Sequence, residues 1–189
     1  WEYQTLPKLV QQVLAANLRY MEAAFELLQG KSRNDFPYRI QRKGLMDALA
    51  MLSAAMVRML DEPASTRRAV EDINLFVVQN YLLVAHVAAL RAILRRHVKD
   101  IPAREVNRAL AASHVQVCRA LANALARHGM QVPVPSLEDD LAWSETIAPA
   151  GSVDWPGWPV VQRRVRLLQA DAEKILVHSE AIERNVVKA

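Results

Sequence analysis

Apolar residues along this chain recur at alternating spacings of three and four, the pattern of a helix with one buried face. The first stripe is Leu6, Val10, Val13, Tyr20, Ala24 and Leu27, with the polar Asn17 set into the same seam. Because proline is tolerated in a first turn, the spacing predicts a helix over about residues 7–28, closed by Gly30. A second helix is predicted over about residues 38–60 from Leu45, Leu49, Leu52, Met56 and Met59. Asp35 is placed to cap its start, Pro63 to end it, and Ser65 or Thr66 to cap the next. The third, over about residues 66–97, carries Ile73, Phe76, Asn80, Leu83, Val87, Leu90 and Leu94. Its other faces hold Leu75, Val77, Leu82 and Ile93, so it is expected to be the central helix, covered on most sides. Pro102 opens a fourth, with Val106, Leu110, His114, Val117, Leu121 and Ala124, and Gly129 closes it after Arg127 and His128. The fifth begins near Pro159 and has the cleanest seam: Val161, Val165, Leu168, Ala172, Ile175, Ser179, Ile182 and Val186. That seam demands a covering helix, from this chain or from another copy. Short connections after the first three helices make neighbours antiparallel, and no segment alternates as a strand would. The fold expected is all-α, an up-and-down bundle of about five long helices.

Residues 129–158 break the pattern. Five of the nine prolines (Pro133, Pro135, Pro149, Pro156 and Pro159) and three of the five glycines fall in or beside this insert, with Trp143, Trp155 and Trp158. Long irregular connections are uncommon in compact domains, and three indoles bring apolar area that needs a surface. The insert is expected to be a strap packed along the bundle, with a short helical turn near residues 137–143. A partner-binding or membrane-surface loop is the sharper alternative. Residues 73–90 form an uncharged run of minimal spanning length. Asn74, Gln79, Asn80 and His86 within it favour a buried bundle helix over a span.

Composition narrows the field. With 189 residues, 52% hydrophobic and 23% charged, the chain suits one self-sufficient domain, residues 1–189. Its single cysteine, Cys118, excludes an internal disulfide and a cysteine-based zinc site. A net charge of +4 is too small to announce nucleic acid, and no recognition module is present. The chain begins with Trp1 rather than Met, which reads as a piece of something longer.

Catalytic signatures are missing. There is no Glu-x-x-His pair, no H-E-x-x-H, no G-x-S-x-G and no phosphate-binding glycine loop. No catalytic residue, metal ligand set or cofactor is expected. His114 reads as a hydrogen-bonded core histidine. Gln79 and His86, seven residues apart on one helical face, read with Asn80 as a buried polar network that fixes register. Arg163, Arg164 and Arg166 open the fifth helix, where its dipole disfavours positive charge. A compensating anion is expected there, either Asp154, Asp139 or Asp140, another subunit, or lipid phosphate. Arg39, Arg42 and Lys43 project together from the start of the second helix beside Tyr38, with Asp47 one turn beyond Lys43.

The stretch Tyr38-Arg39-Ile40-Gln41-Arg42-Lys43-Gly44, then Asp47-Ala48-Leu49 and Met59-Leu60-Asp61-Glu62-Pro63, resembles the cytoplasmic helical domain of the fusaric-acid-resistance (FUSC-like, YccS-type) family of bacterial inner-membrane proteins. Ala16-Asn17-Leu18-Arg19-Tyr20-Met21 resembles that family's first cytoplasmic helix. The likeness covers residues 1–97 and extends further only as helix content; it departs at Lys43, where the family pattern has Arg. The resemblance implies a non-catalytic domain on the cytoplasmic face of an inner-membrane transporter exporting aromatic acids or related organic anions. Its role would be assembly or gating, and the transport path would lie in membrane helices absent from this chain. It further implies a homodimer, which the fifth helix's seam and the tryptophan-rich insert also suggest. Tyr38, Arg39, Arg42 and Glu62 are then the candidate binding residues, structural or interfacial in role. Arg39 or Arg42 is expected to meet a carboxylate, and Glu62 an arginine. The alternative is a free-standing helical ligand-binding regulator or scaffold, which predicts an apolar pocket of hundreds of Å³ between helices.

Overall fold

The stripes fold as their spacing requires. A computed structural model describes residues 2–61, 69–149 and 151–187. Among them are six helices and no strand: α1 Glu2–Leu28, α2 Phe36–Leu60, α3 Val70–Arg96, α4 Ala103–Arg127, α5 Leu137–Thr146 and α6 Trp158–Val187. The expected capping by Ser65 or Thr66 and the stop at Pro63 lie outside the described residues. Both Gly30 and Gly129 sit in closing turns. In each, the amide after the glycine reaches back to the helix, Lys31 to the Glu26 carbonyl (2.9 Å) and Met130 to that of Leu125 (3.0 Å). Asp35 makes no side-chain cap for α2; Asn34 Oδ1 instead accepts from the Phe36 amide at 3.0 Å.

Two register marks fix each helix direction. Gln11 donates to the His128 carbonyl and Phe25 stacks on His114, so α1 and α4 run antiparallel. Asn185 donates to Asp72 while Asp171 meets His86, so α3 and α6 do the same. Arg127, at the end of α4, reaches Glu180 near the end of α6. The up-and-down order therefore holds through four helices and breaks at the last, because α6 parallels α4.

The central helix is α1, which touches all four other long helices. The expectation that α3 is covered on most sides is corrected. Its seam and Val77 are buried, but Leu75 (41% exposed), Val78 (46%) and Leu82 (42%) face outward. Spacing reveals which faces are apolar, not which have neighbours. α3 is long and apolar enough to cross a membrane, with a mean hydropathy of 1.6, and half of that stretch is buried. The seam of α6 is covered within the chain by α3 and α4, with Val161, Leu168, Ala172, Ile175 and Ile182 fully buried. It therefore needs no second copy.

Two sets of polar side chains in the core are paired across helices. Asn17 donates to Asn80 at 2.6 Å, and Asn80 donates to the Phe76 carbonyl at 2.8 Å. Gln79 and His86 converge on one carboxylate of α6, Asp171, at 2.5 and 2.6 Å. The network expected from residues 79, 80 and 86 is split: Gln79 and His86 share Asp171, which sequence spacing did not supply, while Asn80 pairs separately with Asn17. Cys118 is fully buried in the same core, and burial pushes its thiol above its ordinary value.

The insert is a strap with a helix of its own. Ser136 caps α5 by accepting from the Asp139 amide at 3.3 Å. α5 then runs antiparallel to the first half of α4, with Asp140 against His114, Glu145 against Arg108, and the Ile147 carbonyl taking both Nε and a terminal nitrogen of Arg104. Trp143 donates to the Gln29 carbonyl at 3.1 Å, and Trp155 packs on His97 at 5.4 Å. Where the strap crosses the α3–α4 turn, Gly151 has φ +71°, and a Cβ there would lie 2.2 Å from the Asp100 carbonyl oxygen. Only glycine fits that crossing.

Candidate functional site

The start of α2 and the end of α3 lie side by side and enclose a cleft of about 640 Å³, whose walls include Arg39, Arg42, Lys43, Arg91, Arg95 and Tyr38. Three of the residues expected from sequence therefore share one site. Glu62 lies outside the described residues. Arg91 and Arg95 were not anticipated. They stand one turn apart on α3, and Arg95, in its last turn, reads simply as a complement of the helix dipole.

Tyr38 organises this cleft. Its ring is buried (5% exposed) against Tyr20, centroid to centroid 5.5 Å, and the Arg91 guanidinium lies 4.9 Å over its face. Asp35 accepts from Arg91 at 2.9 Å and so holds that guanidinium in place. This is where the aspartate read as a helix cap is employed instead. Tyr20 donates to the Tyr38 hydroxyl in a long contact of 3.4 Å. Burial, reinforced by that neighbour, pushes the Tyr20 hydroxyl far above its ordinary value, so it remains a donor.

The expected carboxylate partners for Arg39 and Arg42 are not found among the described residues, where neither makes an ion pair. Asp35, the acid that lines the cleft, is taken by Arg91, and Asp47 is taken by Lys43 at 2.5 Å. Arg163, Arg164 and Arg166 likewise make no ion pair among the described residues. Of the acids expected to compensate them, Asp140 is claimed by Lys31 and His114, and Asp139 and Asp154 make no ion pair among the described residues.

Asp140 is the second concentration of charge. This buried carboxylate accepts from Lys31 and, at 2.6 Å, from His114 Nδ1. Burial alone would raise its pKa, but the hydrogen bonds from Lys31 and His114 and their charges outweigh that and hold it below the usual carboxylate value. Its geometry ties α5 to α1 and α4. Beyond the Asp35–Arg91 pair, a second groove of about 700 Å³ lies between α1, α3, α4 and α5, with Leu27, Leu94, Val98, Val106 and Trp143 in its walls. No cluster of three or more metal-ligating side chains occurs among the described residues.

No family model matches this chain, and no solved structure matches it. Among curated proteins, it is similar to the inner membrane protein YccS of Escherichia coli K12, at 27% identity over 92 residues. That stretch is 49% of this chain and 13% of the relative, so the chain corresponds to a small part of that protein's length. The chain is thus a helical bundle with a distant likeness to an inner-membrane protein.

Proposed function

We propose that this chain is a non-catalytic helical domain on the cytoplasmic face of an inner-membrane transport protein of the fusaric-acid-resistance type, serving assembly or gating. The observation that carries this reading is the likeness over 92 residues to an inner-membrane protein. It is supported by the Tyr38, Arg39 and Arg42 motif, whose residues meet in one cleft. Transport of aromatic acids or related organic anions would be the work of membrane helices outside this chain. In the natural full-length protein, this domain is expected to sediment with membranes and to be cut by added protease in inverted vesicles but not in intact spheroplasts. Recovery of the full-length protein in the soluble fraction would sink the reading.

Assembly has a surface to use. The outer face of α3 exposes Leu75, Val78, Tyr81 and Leu82 within its uncharged middle. Its two ends are oppositely charged, with Glu71 and Asp72 in the first turn and Arg95 and Arg96 in the last. A second copy packed antiparallel on this face would bring each acidic end against a basic end, the self-complementarity a two-fold interface requires. Sedimentation is expected to give about 42 kDa, twice the 21.2 kDa of one chain. With Val78→Glu and Leu82→Glu together, it is expected to fall to the monomer. A dimer unaffected by both changes would place the interface elsewhere.

The second reading, a ligand-binding regulator, is favoured by the apolar groove of about 700 Å³ beside Trp143. Quenching of indole fluorescence by small apolar acids, lost in Trp143→Phe, would support it.

A further inference from the structure

We infer that the cleft between α2 and α3 is a binding site for a ligand carrying clustered phosphate groups. This goes beyond the membrane reading, since it follows from the cleft's own charges.

Five cations line the cleft, Arg39, Arg42, Lys43, Arg91 and Arg95. Asp47 satisfies Lys43 and Asp35 satisfies Arg91. Arg39, Arg42 and Arg95 have no hydrogen bond or ion pair among the described residues. The cleft thus holds three uncompensated guanidiniums. Two of them, with Lys43, stand in the first two turns of α2, near the positive end of its dipole. An anion in the cleft would reverse the sign of every one of these interactions.

The donors are also arranged for use. Tyr38 lines the cleft with its ring packed on Tyr20 in the core, so it forms a fixed floor. Asp35 and the Tyr38 ring fix Arg91, so one wall is set before a ligand arrives. Ala88 and Ala92 add short side chains beside Met46 in the lining.

Chemistry selects the ligand class. Guanidinium forks match phosphate oxygens in pairs. A single carboxylate would neutralise one of three free cations, whereas a pyrophosphate-like group carries roughly the three charges the cleft lacks. The volume of about 640 Å³ accommodates more than one phosphate. Such groups occur in soluble phosphate esters and, as an array, at an anionic lipid surface.

Two arms of one experiment distinguish these sources. Inorganic pyrophosphate is titrated calorimetrically into the protein at constant ionic strength, and the protein is sedimented with vesicles of phosphatidylglycerol and phosphatidylcholine. Arg39→Gln with Arg95→Gln is expected to weaken pyrophosphate binding by about tenfold or more. Arg19→Gln with Arg119→Gln, the same change in net charge at exposed positions on α1 and α4, should leave it within about twofold. Pelleting with vesicles that depends on Arg39 and Arg95, without pyrophosphate binding, assigns the phosphates to lipid headgroups and sustains the site. Binding to neither probe, or equal losses in the two double variants, overturns it. All four arginines are exposed, and unchanged thermal unfolding of each variant confirms that folding is not the cause.

Discussion

Replacing Asp171 by alanine is expected to destabilise this protein by about 3 kcal/mol. The carboxylate is buried between α3 and α6, where it accepts from Gln79 at 2.5 Å and His86 at 2.6 Å. Removing it strands both donors away from water. Each unmet buried donor costs roughly 1–3 kcal/mol, more when the lost acceptor was charged. His86 donates from Nδ1 whether its ring is neutral in that tautomer or charged, so the loss is present in both states. Asp171→Asn keeps one acceptor oxygen and should recover about half of the lost stability. The urea midpoint measures this, with an unchanged slope marking an effect on stability alone. A loss under about 0.5 kcal/mol for Asp171→Ala would mean that apolar packing alone sets the α3–α6 register.

The second large effect belongs to Asp140. Asp140→Ala leaves Lys31 and His114 without their shared acceptor and is expected to cost about 3 kcal/mol at pH 7. It should also loosen α5, which native-state proteolysis would report as faster cutting between Met130 and Trp158. Acid gives an independent check. The folded carboxyl titrates below its usual value because hydrogen bonds from Lys31 and His114 overcome the opposing effect of burial. In the unfolded chain it titrates near 3.9. Its contribution is therefore complete above that unfolded value and disappears as pH falls through the lower, folded one. The wild-type urea midpoint should drop across this acid window, and Asp140→Asn should start lower at neutral pH and drop less. Equal acid slopes in the two proteins would refute the assignment.

These two carboxylates also mark where sequence stops being informative. The helices were legible because their stripes are long: Leu6, Val10, Val13, Asn17, Tyr20 and Ala24 all lie buried in α1. Gln79 and His86 were legible as partners because polar residues in an uncharged helix are costly unless paired. Their acceptor was not. Asp171 stands among Gln169, Glu173 and Lys174, where an acid reads as solvent-facing, and its partners lie 85 and 92 residues away. The same distance hid the role of Asp35, whose partner Arg91 is 56 residues on. A helix-starting aspartate in sequence looks like a cap; only folding brought the competing guanidinium to it. Tyr38, Arg39 and Arg42 were found together because three- and four-residue spacing fixes a shared face. Arg91 and Arg95 complete the cleft from a different helix, which no local pattern can announce.

The strap also governs the direction of the last helix in a way its irregular sequence conceals. α4 has 25 residues, roughly 37 Å at 1.5 Å per residue, and the segment after it returns the chain over that whole length. A two- or three-residue link would instead deliver α6 at the opposite end, pointing the other way. Its apolar seam would still find a groove, since heptad spacing reads alike from either direction, but Asp171 would no longer come level with His86. The strap works as a ruler: its span, rather than its composition, encodes the polarity of the last helix.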